Sequence, residues 1–210
     1  MANIKTITLY EYNDNRQLIK KIESKYKALD EVENETIYEY TDNGYLKQRI
    51  WYKHKNGIRI LRQTYVYEYN DIGQKVKLVV FDETETISTV YVSKYNKQGK
   101  IVQHTHQTPR GVVLSTTKTT YTKKGFNERN YKSNGDFEDD AIVVYECDEK
   151  GNIILQTYYD KYQCKTFWTE YYYDGLGNLI RDISYESDGS IAFERKYEYQ
   201  DDLLIKEYMY

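Results

Sequence analysis

Apolar and aromatic residues recur at every second position along most of the chain, and the pattern restarts at fixed intervals. Each restart is a tyrosine followed by a turn segment. The best copies are Tyr40-Thr41-Asp42-Asn43-Gly44, Tyr69-Asn70-Asp71-Ile72-Gly73, Tyr95-Asn96-Lys97-Gln98-Gly99, Tyr121-Thr122-Lys123-Lys124-Gly125, Cys147-Asp148-Glu149-Lys150-Gly151 and Tyr173-Asp174-Gly175-Leu176-Gly177. Weaker copies start at Tyr12, with Arg16 in the glycine place, and at Tyr199, with Leu203 there. The anchors at 12, 40, 69, 95, 121, 147, 173 and 199 are spaced by 28, 29 and then 26 residues five times in succession.

Even offsets from the anchor share a character. Two residues before it stand Tyr10, Tyr38, Tyr67, Tyr145, Tyr171 and Tyr197, with Ser93 and Thr119 as exceptions; six after it stand Leu18, Leu46, Ile101, Ile153, Leu179 and Ile205, with Lys75 and Asn127 as exceptions; ten after it stand Ile22, Ile50, Val79, Thr105, Tyr131, Thr157, Ile183 and Met209. A period of two is the mark of a strand with one distinctive face. Each unit therefore reads as two strands joined by a turn whose glycine takes positive φ. A second turn, such as Asn56-Gly57, Asn134-Gly135 or Asp188-Gly189, closes the unit. The segment 15–32 is the best helix candidate, but Leu18 and Ile22 also fit the repeat, and the repeat reading is preferred.

The prediction is an all-β antiparallel meander of about 16 strands, built from eight hairpin repeats of ~26 residues in a single domain over 1–210. Side by side, 16 strands at ~4.8 Å span roughly 75 Å. A closed ring of that size leaves a lumen of porin width, with no segment here to fill it. A rolled or spiralling open sheet is the expected shape, with its tyrosine face inward.

Composition sharpens this picture. Twenty-six of the 210 residues are Tyr, a large ring that buries well if its hydroxyl finds a partner. Thirty basic against 33 acidic side chains give a net charge of −3, which supplies no general attraction to nucleic acid or an anionic membrane. No apolar run reaches the ~20 residues of a membrane helix, and the start of the chain lacks a signal-peptide core. The expectation is a cytoplasmic protein. Cys147 and Cys164 are too few for a disulfide framework and read as reduced thiols, Cys147 as a buried residue in an aromatic slot.

The run Tyr171-Tyr172-Tyr173-Asp174-Gly175-Leu176-Gly177-Asn178-Leu179-Ile180 resembles a YD repeat of the RHS type, and Cys147-Asp148-Glu149-Lys150-Gly151-Asn152-Ile153 is a close variant. The resemblance spans about residues 8 to 210. It implies a β-hairpin shell geometry, although large YD-repeat shells enclose a toxin domain and this chain is too short to close one. The repeat is also similar to MORN-like repeat proteins, some of which accompany toxins as antitoxins.

Candidate chemistry is sparse. No Ser-His-Asp, Cys-His, GxSxG or Walker pattern is present, so no enzyme and no cofactor is expected. His104-Thr105-His106 places two imidazoles on one strand face and is the weak candidate for a metal. Asp136-Phe137-Glu138-Asp139-Asp140 reads as a solvated acidic loop between two units. Trp51, Trp168 and Tyr172 are the candidate binding aromatics, with Trp51 and Tyr172 assigned to the face opposite the tyrosine ladder. Glu39, Glu68 and Glu146, with Glu11 and Glu198, form an acidic row beside the anchors that suits a basic partner. The functional expectation is a non-enzymatic protein-binding repeat, an immunity or antitoxin-like factor that sterically blocks a partner toxin. The alternative is a carbohydrate-binding or cell-surface YD-repeat module.

Overall fold

The computed structural model describes residues 5–25 and 32–210; the part of the helix candidate at 26–31 lies outside the described residues. Among the described residues there are sixteen strands and no helix: β1 (Thr6–Tyr12), β2 (Leu18–Lys25), β3 (Val32–Tyr40), β4 (Leu46–Lys55), β5 (Ile58–Tyr69), β6 (Lys75–Phe81), β7 (Ile87–Tyr95), β8 (Ile101–Gln107), β9 (Val113–Tyr121), β10 (Gly125–Lys132), β11 (Phe137–Cys147), β12 (Ile153–Tyr159), β13 (Lys165–Tyr173), β14 (Leu179–Glu186), β15 (Ile191–Gln200) and β16 (Leu203–Met209). Every strand pairs antiparallel with its neighbours in the chain, as the repeat predicts.

The sheet does not stay open. β16 returns to β1, pairing Thr6 with Met209 and Leu9 with Lys206, and closes a 16-stranded barrel. The expectation of an open roll is corrected here, because closure is tolerable when the lumen wall is polar enough to be wetted. The accessible surface, 13,882 Å² for 25.2 kDa, supports this reading. A solid globule of that mass exposes only about 10,300 Å². Closure also removes the two long edges that an open sheet of this width would present.

The turns explain the repeat. In the unit that starts at Tyr173, the Asp174 side chain accepts hydrogen bonds from the Leu176 and Asn178 N–H groups, while its carbonyl accepts one from Gly177 at φ 93°. Asn70 and Asp148 do the same in their units. Hydrogen bonds from Asn178 and Asn152 hold the Asp174 and Asp148 carboxyls below the usual carboxylate range. Where the glycine is missing, Arg16 itself adopts φ 59°, and Asp201-Asp202 form a two-residue bend at φ 51° and 60°.

A β-bulge just after these turns changes which residues share a face. Tyr40 pairs with Leu46, but Glu39 pairs with Gln48, so Lys47 is the extra residue. The same step recurs at Tyr12, Tyr69, Tyr95, Cys147 and Tyr173. One inserted residue inverts the inside–outside alternation beyond it. Ile22, Ile50, Val79 and Ile183 therefore face away from the tyrosines, opposite Leu9, Ile37, Val66 and Glu170. Trp51 moves the other way: it pairs with Thr36 and shares the face of Tyr38, which corrects its assignment to the opposite side.

The anchor tyrosines and those two residues before them line the inner wall. Four strands contribute Lys21, Glu23, Asn34, Thr36, Tyr38, Arg49, Trp51 and Tyr65 to one concavity on that face. Phe167 and Phe193 meet at 6.3 Å between ring centroids although β14 runs between their strands. Around one rim the anchors form a ladder in which each phenol donates to a carbonyl of the preceding unit. The donations are Tyr40 to Leu18 (2.8 Å), Tyr69 to Leu46 (3.0 Å), Tyr95 to Lys75 (2.6 Å), Tyr121 to Ile101 (2.9 Å), Tyr173 to Ile153 (2.9 Å) and Tyr199 to Leu179 (2.9 Å). Tyr12 donates to Leu204 at 2.8 Å and so carries the ladder across the seam.

Candidate functional site

Among the described residues, the lumen concavity between β2 and β5 brings together the most binding-type chemistry. Its volume is about 340 Å³. Arg49, on β4, lays its guanidinium over the Tyr65 ring with Cζ 4.0 Å from the centroid. Its Nε is buried and has no hydrogen-bond partner. Lys21 and Glu23 pair at 2.7 Å on β2, on the far side of β3, and Trp51 and Tyr38 complete the wall. A buried N–H left without an acceptor is destabilising by about 1–3 kcal/mol, so the pocket favours an incoming acceptor oxygen. The pattern of residues gave no sign of Arg49, because the bulge after Tyr40 is what turns it inward.

The sequence-predicted site residues do not converge. Trp51 is in the lumen, while Trp168 and Tyr172 lie on the outer wall with Glu170, which pairs between the outward Leu155 and Ile183. There Trp168 stacks on Tyr185 at 5.0 Å, and Tyr172 donates to Glu170 at 2.7 Å. The acidic row is also on the outer wall, interleaved with donors and cations from the next strand. Lys20 is 3.5 Å from Glu11, Lys77 is 2.7 Å from Glu68, and Gln48 donates to Glu39 at 2.7 Å. Glu146 lines a cavity on the tyrosine-ladder rim.

His104 and His106 do share the lumen face, but Tyr91 lies between them. Its ring stacks at 5.3 Å on His104 and 4.8 Å on His106. Ser93 and Thr89 hydroxyls engage the two imidazoles at 3.0 and 2.5 Å. Burial, then Lys75 and His106, keeps the His104 ring below its ordinary pKa. No group of three metal-ligating side chains occurs among the described residues. The acidic stretch is corrected too: Phe137–Cys147 is strand, with Asp140 paired to Arg129, so it is not a loop; the Asp139 side chain lies outside the described residues. Cys147 and Cys164 are free thiols, and both are exposed, which corrects the buried reading of Cys147.

Seven of the lumen phenols share one electrostatic trait. Burial comes first among the causes that raise the pKa of Tyr38, Tyr67, Tyr145, Tyr158 and Tyr171, and it does the same for Tyr10 and Tyr197. Each keeps its proton in the barrel after the unfolded chain has lost it, near pH 10. The stabilisation is therefore complete below about pH 10 and is lost as pH rises through the folded-state values. Alkaline titration is expected to give one cooperative step above pH 10, with circular dichroism and phenolate absorbance changing together. Gradual phenolate formation in an intact barrel would contradict this.

No protein-family model matches the chain, and no curated protein matches it. Solved structures do. A porin-like protein from Bacteroides uniformis aligns with a TM-score of 0.56 at 12% identity, covering 99% of this chain and 97% of that one. The TcdB2-TccC3-Cdc42 structure aligns at a TM-score of 0.33 and 11% identity, over 97% of this chain and 13% of that chain. The first likeness is one of fold: an all-β antiparallel barrel.

Proposed function

We propose that this barrel is a non-enzymatic binding protein that receives a segment of a partner protein at its lumen wall. In this reading it acts as an immunity or antitoxin-like factor, covering the partner's active surface by steric occlusion. The observation that carries the reading is the unpartnered Arg49 Nε in a concavity walled by Trp51, Tyr38 and Tyr65. An acidic or carbonyl group on an inserted segment satisfies that donor, and the aromatic walls contact its apolar atoms. Burial pushes the Tyr38 phenol away from ionisation, which suits hydrogen bonding more than proton transfer near neutral pH. The YD-like turn at Tyr173–Asn178 adds a resemblance to repeat proteins of the toxin world.

The outer wall favours water as the surroundings, with a cytoplasmic location and no membrane or nucleic acid as partner. A lipid-facing barrel carries an apolar band ~25 Å tall. Here Lys20, Glu35, Lys77 and Arg181 sit among the outward residues of the strands. The acidic row is largely matched by its own neighbours, which leaves recognition to the lumen.

The test is capture from the native host by the immobilised full chain, followed by mass spectrometry. A lumen variant (Arg49→Gln with Trp51→Ala) is expected to weaken capture by at least about tenfold. The outer-wall variant Glu39→Lys, Glu68→Lys, Glu146→Lys is expected to retain it. The reverse pattern would sink the lumen assignment and restore the acidic row. The same aromatics beside Arg49 also suit a sugar ring with an acidic substituent, and this favours the carbohydrate reading as the second. A glycan array showing hits that depend on Arg49 and Trp51 would select it.

A further inference from the structure

The tyrosine ladder is broken at one place. Cys147 stands where seven other units have the phenol that reaches back to the preceding unit. The preceding turn is altered as well. Tyr121 pairs directly with Phe126, without the bulge found in the other units with a turn glycine. The missing ring and the shortened turn leave an open cavity of about 840 Å³ on this rim. That is within the ~300–1,000 Å³ range of small-molecule sites.

Two features set the chemistry of an occupant. The first is shape. Tyr121, Phe126 and Tyr145 form a continuous aromatic wall, with centroids 6.1 and 5.8 Å apart and both pairs tilted by 57°. A flat ring placed against it takes the place that a phenol fills elsewhere on the rim. The second is charge. Lys100, Lys123 and Lys124 line the cavity against the single acid Glu146, and Lys100 Nζ lies 4.7 Å from the Tyr121 centroid.

We infer that this cavity is a binding site for a small aromatic acid, its ring against Phe126 and Tyr145 and its carboxylate toward the three lysines. Ring contact supplies orientation, and the ammonium groups supply charge-assisted hydrogen bonds. The site is separate from the lumen concavity of β2–β5 and stands or falls independently of the reading given for it.

The probe is 4-hydroxybenzoate, titrated into the full chain by calorimetry and by NMR. Saturable binding is expected, with cyclohexanecarboxylate, which has the charge but no aromatic ring, at least about tenfold weaker. Cys147→Tyr rebuilds the ladder and fills the cavity, so it is expected to weaken 4-hydroxybenzoate by at least about tenfold, while Cys147→Ser stays within about twofold. The exposed pair Lys123→Glu, Lys124→Glu gives an independent loss of similar size without touching the wall. Absence of saturation in the millimolar range overturns the inference. So does equal affinity of the Cys147→Tyr variant in a chain with unchanged circular dichroism, or equal affinity of cyclohexanecarboxylate.

Discussion

Gly125→Ala is expected to lower the unfolding free energy by about 3 kcal/mol or more, beyond the usual range for a surface substitution. A Cβ at this position would lie 1.9 Å from the Val143 carbonyl oxygen, 2.9 Å from its carbon and 3.1 Å from Val144 Cα. All three are backbone atoms of the paired strand β11, so no side-chain rotation relieves the overlap. Relief requires β10 and β11 to separate where Gly125 opposes Val144. Gly57→Ala is the comparison. Nothing lies within 4 Å of its added carbon, and only the strain of φ +74° remains. That strain amounts to about 1 kcal/mol. Urea unfolding of both variants measures the difference; coincident midpoints would show that β11 yields more easily than its pairing implies.

Arg195→Ala is expected to destabilise the barrel by about 3–5 kcal/mol, the range for breaking a buried ion pair from one side. The Asp182 carboxylate is 0% exposed. Arg195 Nε meets both of its oxygens at 3.1 Å, its terminal nitrogen lies 3.0 Å from one of them, and Tyr197 donates its hydroxyl to the same carboxylate. Without the guanidinium, Asp182 keeps Tyr197 and loses the charge that justifies its burial. Lys77→Ala provides the contrast, since its partner Glu68 is exposed at a 2.7 Å contact on the outer wall. Such a pair contributes about 0–1 kcal/mol. Equal losses for the two variants, measured by thermal and chemical denaturation, would remove Asp182–Arg195 from the list of structural determinants.

These determinants differ in how far the chain announces them. The eight units, their strands and the glycine bends at Gly44, Gly73, Gly99, Gly151 and Gly177 follow from spacing and turn chemistry, both of which are local. Facing is not local. The extra residues Lys47, Val76, Val102, Ile154 and Ile180 each invert the alternation after a turn, and nothing in their side chains marks them as inserted. That inversion put Trp51 and Arg49 in the lumen and sent Ile50 outward. Closure is less local still, because it depends on β1 and β16 meeting with matching register after the tilt of every intervening strand. The Asp182–Arg195 pair was invisible for a related reason: its members sit on separate strands, and only the cross-strand register brings them face to face.

Closure has one further consequence. In a linear stack of repeats, units can be gained or lost at either end with little effect on the remainder. Here β1 and β16 are partners, so no unit is terminal and each is held from both sides. Duplicating or deleting one hairpin would change the circumference, so the curvature of the whole ring would have to adjust with it. The number of copies is thereby tied to the geometry of the circle.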